Sequence, residues 1–98
     1  MAKVIVSPAA ADALARLILT HSLPADTKER VRRSAAPLAE FPRLGREPEG
    51  DSYVGLRFLL GPWRWLVIVY AYETDSDEVW ILTFEDARAS TAVTNYRT

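Results

Sequence analysis

From Trp63 to Tyr72 the chain reads WRWLVIVYAY, and only Arg64 interrupts the apolar and aromatic residues. Val, Ile and Tyr in such a run favour a strand. A strand apolar on both faces has to be covered, either as a central strand or under helices. The longer stretch from Leu56 to Tyr72 is broken by Arg57 and Arg64, short of the roughly 18 uncharged residues of a membrane span. The cover for this strand must therefore come from the rest of a 98-residue chain. With 49% hydrophobic and 26% charged residues, the composition is that of a chain that folds around its own core. Residues 1–98 read as one small domain, burying roughly 65% of the extended chain's surface.

The flanking segments supply the cover. Lys3 to Val6 is short, β-branched and apolar, and reads as a strand. Ser7 then offers a cap and Pro8 a first helical residue, where its missing N–H costs nothing. Ala10, Leu14, Leu17, Ile18 and His21 share one face of the predicted helix, which ends near Leu23-Pro24. A second helix is predicted from Asp26, with Glu29 at capping-box spacing and Val31, Ala35, Leu38 and Phe41 as its apolar stripe. Pro37 should kink or divide it. After a polar loop around Gly50, strands are predicted over Tyr53 to Leu60, Trp63 to Tyr72 and Val79 to Phe84. Alternation places Trp63 and Trp65 on one face with Val67 and Val69. The order strand, two helices, three strands predicts an α+β fold, two helices packed on a small antiparallel sheet with the first strand along one edge. Arg88 to Thr98 is polar and follows no pattern, and residues 89–98 are expected to be a flexible or partner-bound tail.

Several chemistries are excluded by residue supply. The chain has no cysteine, hence no disulfide, thiolate metal site or cysteine nucleophile. His21 is the single histidine, which removes multi-histidine metal sites and a Ser-His-Asp triad elsewhere. There is no glycine-rich phosphate loop and no HExxH motif. The acidic run Glu73, Asp75, Asp77 and Glu78 lacks the glycine and final glutamate of an EF-hand loop. No metal or cofactor is expected. The N-terminus MAKVIVSPAA has no long apolar region behind its lysine, so a cytoplasmic location is expected.

A formal net charge of -1 does not point to nucleic acid, yet the charge is unevenly spread. Basic residues gather at Lys28, Arg30, Arg32, Arg33, Arg43 and Arg46, and acidic ones at Glu73, Asp75, Asp77, Glu78, Glu85 and Asp86. All basic residues but Lys3 and Lys28 are arginine, whose planar fork suits carboxylate or phosphate.

Three segments carry a resemblance: VSPAAADALARL, then FPRLGR, then GLRFLLGPWRWLVIVYAYETDSDEVWILTFEDAR. Their order and spacing, through Ser7, Pro8 and Ala10, then Pro42, Gly45 and Arg46, then Leu56, Arg57, Gly61, Arg64 and Tyr70, and last Arg88, resemble the RelE/ParE superfamily of bacterial toxins over residues 3–88. The resemblance implies the toxin of a type II toxin–antitoxin pair, neutralised by a cognate antitoxin that wraps an extended or helical segment around it. It also implies one of two targets, messenger RNA cut on the ribosome without a metal, or DNA gyrase. The shared fold does not choose between them. A homologue that keeps its partner surface but has lost toxicity is the alternative.

The same resemblance nominates Arg57, Arg64, Arg88 and Tyr96 as catalytic residues. At Arg57 a fixed guanidinium would hold the scissile phosphate and offset the charge that builds on its oxygens. Otherwise it pairs with a carboxylate or contacts the antitoxin. Arg64 would line the active face or order the sheet. Arg88 would meet a phosphate or act as an acid, or pair with Glu85 or Asp86. Tyr96 would stack on a base, although a phenol is a poor proton acceptor at neutral pH. Against cleavage, the loop GREPEGDSY contains no lysine where RelE-like nucleases place them. His21 reads as a satisfied boundary residue, and Trp63, Trp65 and Trp80 read as core or antitoxin-facing aromatics. The basic run from Lys28 to Arg33 would face an acidic antitoxin segment or RNA backbone.

Overall fold

In the computed structural model, which describes residues 1–50 and 53–88, the order is β1 (Lys3–Val6), α1 (Pro8–Thr20), α2 (Thr27–Ala35), a 3₁₀ turn (Ala36–Ala39), β2 (Arg57–Leu60), β3 (Leu66–Glu73) and β4 (Glu78–Asp86). The strands form one sheet in the order β1-β4-β3-β2. The meander β2-β3-β4 is antiparallel, as expected, and the first strand does lie along an edge. It runs parallel to β4, which makes the sheet mixed. The α1–α2 crossover carries the chain back over one face before the meander begins, and such a return is what parallel pairing requires.

Local signals set the helix ends. The Ser7 hydroxyl oxygen accepts from the Ala10 amide at 3.1 Å and donates to the Leu82 carbonyl, tying the start of α1 to β4. Helix α1 stops at Thr20, a few residues before Pro24, and Ser22 takes a left-handed φ of 50°. Asp26 caps α2 by position only. Its carboxylate takes the Arg30 Nε–H at 2.9 Å instead of a backbone amide, and this bond holds the carboxyl below its usual range. Pro37 divides the second helix, as expected, and the following residues tighten into the 3₁₀ turn. That tightening changes the angular step. Val31, Ala35 and Leu38 of the predicted stripe are buried, whereas Phe41 is 56% exposed.

The main core lies between the helices and one sheet face. It holds Ala10, Leu14, Val31, Ala35 and Leu38 against Leu66, Ile68, Tyr70, Val79, Ile81 and Phe84. A smaller cluster of Phe58, Val67 and Val69, with Tyr53, Leu56 and Ala87, covers the other face of β2 and β3. The apolar run is thus covered on both sides.

Two boundaries differ from the sequence reading. Residues 53–55 turn, with Gly55 at φ 83°, and β2 starts only at Arg57. Residues 64 and 65 belong to the β2–β3 turn, closed by the Gly61 amide on the Leu66 carbonyl at 2.8 Å. Alternation begins after that turn. Trp63 and Trp65 therefore pack on the helix-side core, not with Val67 and Val69 as the uninterrupted pattern predicted. A bulge between Val69 and Tyr70 shifts the register opposite β4, pairing Val69 with Thr83 and Tyr70 with Ile81. Residues 89–98, read as a tail, lie outside the described residues.

Candidate functional site

The motif residues Pro42, Gly45, Arg46, Arg57 and Tyr70 meet at one end of β3. Tyr70 is fully buried on the helix side of the sheet. Its hydroxyl donates to the Pro42 carbonyl at 2.9 Å and accepts from the Gly45 amide at 2.8 Å. Burial raises the pKa of this phenol, so it keeps the proton it donates. Gly45 fits because it has no side chain. A Cβ there would lie 2.7 Å from the Tyr70 ring, 2.8 Å from its hydroxyl and 2.9 Å from the Phe58 carbonyl. Arg57, opposite Tyr70 on β2, donates through Nη1 to the Gly45 carbonyl at 2.7 Å and the Arg43 carbonyl at 3.2 Å. Its Nη2 meets Glu47 at 2.8 Å. The side chain of Arg57 is only 20% exposed. The arrangement is a clasp that fixes residues 42–47 against the sheet.

Arg46 sits inside the clasped segment and is used differently. Its amide and carbonyl both pair with Phe58, at 3.0 and 2.9 Å, in an antiparallel bridge. Paired residues in such a bridge share a face, so the Arg46 side chain lies on the Phe58 side of the sheet. It lines a cleft of ≈ 610 Å³ with Leu44, Phe58, Leu60, Val67 and Ala87. Among the described residues its guanidinium makes no ion pair or side-chain hydrogen bond.

The opposite end of β3 carries a column of flat groups. His21 stacks on Trp65 with centroids 5.1 Å apart, and Trp65 stacks on Trp63 at 5.7 Å. The Arg88 guanidinium lies 4.4 Å from the Trp65 centroid, and that of Arg30 lies 5.9 Å from Trp63. Asp86 joins the column from β4. It receives the Arg88 amide at 2.8 Å and Nε at 3.1 Å, and contacts His21 Nε2 at 2.9 Å. Arg88 first, then His21, hold the Asp86 carboxyl down to about 2. His21 is thus a satisfied boundary residue joining the end of α1 to the end of β4.

A third feature is a groove of ≈ 440 Å³ between α1, α2 and the β1 edge. Val4, Val6, Leu14, Val31, Ile81 and Phe84 form its walls, and Lys28 and Arg32 stand at its rim. The Lys3 amide donates to the Asp77 carbonyl, just before β4, and the Ser7 amide to that of Ile81 within it. The alternate residues Val4 and Val6 therefore turn their backbone groups outward, where no described residue pairs with them.

These positions separate the nominated residues. Arg64 is exposed in the β2–β3 turn, near the column. Arg88 lies on the column itself, beside Asp86, which pairs with Leu66 in the sheet. Arg57 pairs with Tyr70, four residues along β3 from Leu66, or about 13 Å by strand rise. The structure thus brings Arg64 and Arg88 to one end of the sheet and Arg57 to the other. Tyr96 lies outside the described residues. The roles of Gly45 and Tyr70 as clasp, and of Arg46 as its free side chain, were not legible, because their partners lie 12 to 28 residues away in sequence. No group of three or more metal-ligating side chains occurs among the described residues, nor does a helix long and apolar enough to cross a membrane.

No family model and no curated protein sequence matches the chain. Solved structures do. A chain of the toxin–antitoxin complex RelBE2 from Mycobacterium tuberculosis superposes with a TM-score of 0.64 at 20% identity, over 87% of this chain and 96% of that one. A metal-bound toxin from Helicobacter pylori gives 0.64 at 12% identity, over 88% and 94%. An arginine-to-alanine double mutant of the E. coli toxin RelE in the free state gives 0.59 at 16%, over 99% and 96%. The likeness extends over 87–99% of this chain, and the chain has the RelE/ParE-like toxin fold.

Proposed function

We propose that this chain is the toxin of a type II toxin–antitoxin pair, acting in the cytoplasm and neutralised by a small cognate antitoxin. The observation that carries the reading is the likeness to toxin structures over 87–99% of the chain. The groove beside β1 supports the partner. An extended segment of an antitoxin can pair with the outward backbone groups of Val4 and Val6, and an adjoining apolar segment can fill the groove. Lys28 and Arg32 at the rim favour acidic residues in that segment.

The targets open to such a toxin are messenger RNA on the ribosome and DNA gyrase. Inducible expression in a bacterial host, with RNA integrity and DNA damage followed together, separates them. Growth should stop on induction and resume when the neighbouring antitoxin is supplied. Good soluble expression without any effect on growth would remove the toxin reading. It would favour a second one, a homologue that binds its partner but is no longer toxic. That reading draws on Arg57 and Arg88, nominated for phosphate contact, whose donors are engaged by Gly45, Arg43 and Glu47 and by Asp86.

A further inference from the structure

Arg46 lies within the clasped segment, but the clasp does not use its side chain. Its neighbours are fixed: Tyr70 holds Pro42 and Gly45, Arg57 holds Gly45 and Glu47, and Phe58 holds the Arg46 backbone itself. A guanidinium on so restrained a backbone loses little further freedom when it binds. It stands at the mouth of the cleft, and two cleft walls, Leu44 and Leu60, are 52% and 55% exposed. Large apolar side chains left open beside an unpaired arginine have the make-up of an interface centre.

We propose that Arg46 and this cleft form the surface through which the chain engages its target, and that the target is a protein presenting an apolar side chain beside a carboxylate. The inference rests on the toxin reading above and names the contact that reading lacks.

Charge favours a protein over a polynucleotide. Holding a nucleic acid takes several neutralised phosphates. Among the described residues the rim offers one free guanidinium, and Glu49 adjoins it together with Glu47, which Arg57 already holds. A single carboxylate needs only one planar fork, and two parallel N–H···O bonds satisfy it. The strand edge adds a second means of recognition. Phe58 spends its outward backbone groups on Arg46, and Leu60, two residues on, turns its own groups the same way. A protein segment lying in the cleft can pair there. The cleft opens on the sheet face away from the helices, and the β1 groove lies at the opposite edge of the sheet, so target and antitoxin sites are distinct.

The test is inducible expression of the full chain and of Arg46→Glu, Arg46→Lys and Leu60→Glu, with growth and RNA integrity followed together. Thermal unfolding and binding of the purified antitoxin serve as folding controls. The wild type should stop growth with messenger RNA intact. Arg46→Glu should lose arrest while keeping its melting temperature and antitoxin binding, Arg46→Lys should keep part of the arrest, and Leu60→Glu should match Arg46→Glu. Full arrest by a folded Arg46→Glu or Leu60→Glu would overturn the inference alone. Arrest with cut messenger RNA would overturn the protein target. A wild type that does not stop growth would overturn the toxin reading and this inference with it.

Discussion

The two ends of β3 are each tied down by an arginine, in opposite ways. At the Tyr70 end, Arg57 is pressed against neutral carbonyls, with one carboxylate at the outside. At the Leu66 end, Arg88 lies over Trp65 and answers the carboxylate of Asp86, which also contacts His21. The first set depends on close fit. It hinges on a glycine with no room for a methyl group and a buried phenol bonded on both sides. The second depends on charge, with Arg88 58% exposed and Asp86 15% exposed. Residue type therefore does not assign the arginines of this chain. The same side chain is a structural brace at position 57, an ion-pair partner at 88 and a free group at 46.

The contrast can be broken most severely at Gly45. Gly45→Ala forces a methyl group against Tyr70 and the Phe58 carbonyl, and should cost about 3 kcal/mol in denaturant unfolding. A cost near zero would mean that the segment is not clasped. Tyr70→Phe leaves the Gly45 amide and the Pro42 carbonyl without their partner, and about 2 kcal/mol should be lost with the helix-side core intact.

The charged end should answer to pH through Asp86. The folded-state pKa of Asp86, about 2, lies below its ordinary value of 3.8. Its contribution is therefore complete above the unfolded value and lost as pH falls through 3.8 toward 2. Solvent at the pair reduces the contribution to on the order of 1–2 kcal/mol. Unfolding followed between pH 5 and 2 should show this loss in the wild type and a flatter profile in Asp86→Asn. The smallest effect belongs to Arg30, whose contact with Trp63 is long and exposed. Arg30→Gln should cost at most about 0.5–1 kcal/mol by the same unfolding measurement.

What the sequence made legible was local. Ser7-Pro8 marks a helix start through contacts three residues away, and Pro37 divides a helix through its own ring. The meander followed from two short turns between apolar runs. The parallel pairing of β1 with β4 joins residues about 75 apart, and no local signal encodes it. The misplaced faces of Trp63 and Trp65 trace to a turn that interrupts the alternation just before Leu66. Tyr70 looked like one more apolar strand residue, since a phenol's partners cannot be read until the segment from Pro42 to Glu47 is folded beside it. Arg57 and Arg88 stood out as candidates because charge is visible in a sequence, whereas the carbonyls and carboxylate that engage them are visible only in the fold.

The division of labour among the arginines is tested most directly by measuring growth arrest and unfolding free energy together on Arg46→Glu and Arg57→Met. Arg46→Glu should abolish arrest and leave stability within about 0.5 kcal/mol, as befits an exposed side chain. Arg57→Met should lose about 2 kcal/mol, since the Gly45 and Arg43 carbonyls lose a charged donor. An unstable Arg46→Glu, or an Arg57→Met that unfolds like the wild type and no longer stops growth, would reverse the roles assigned to the two residues.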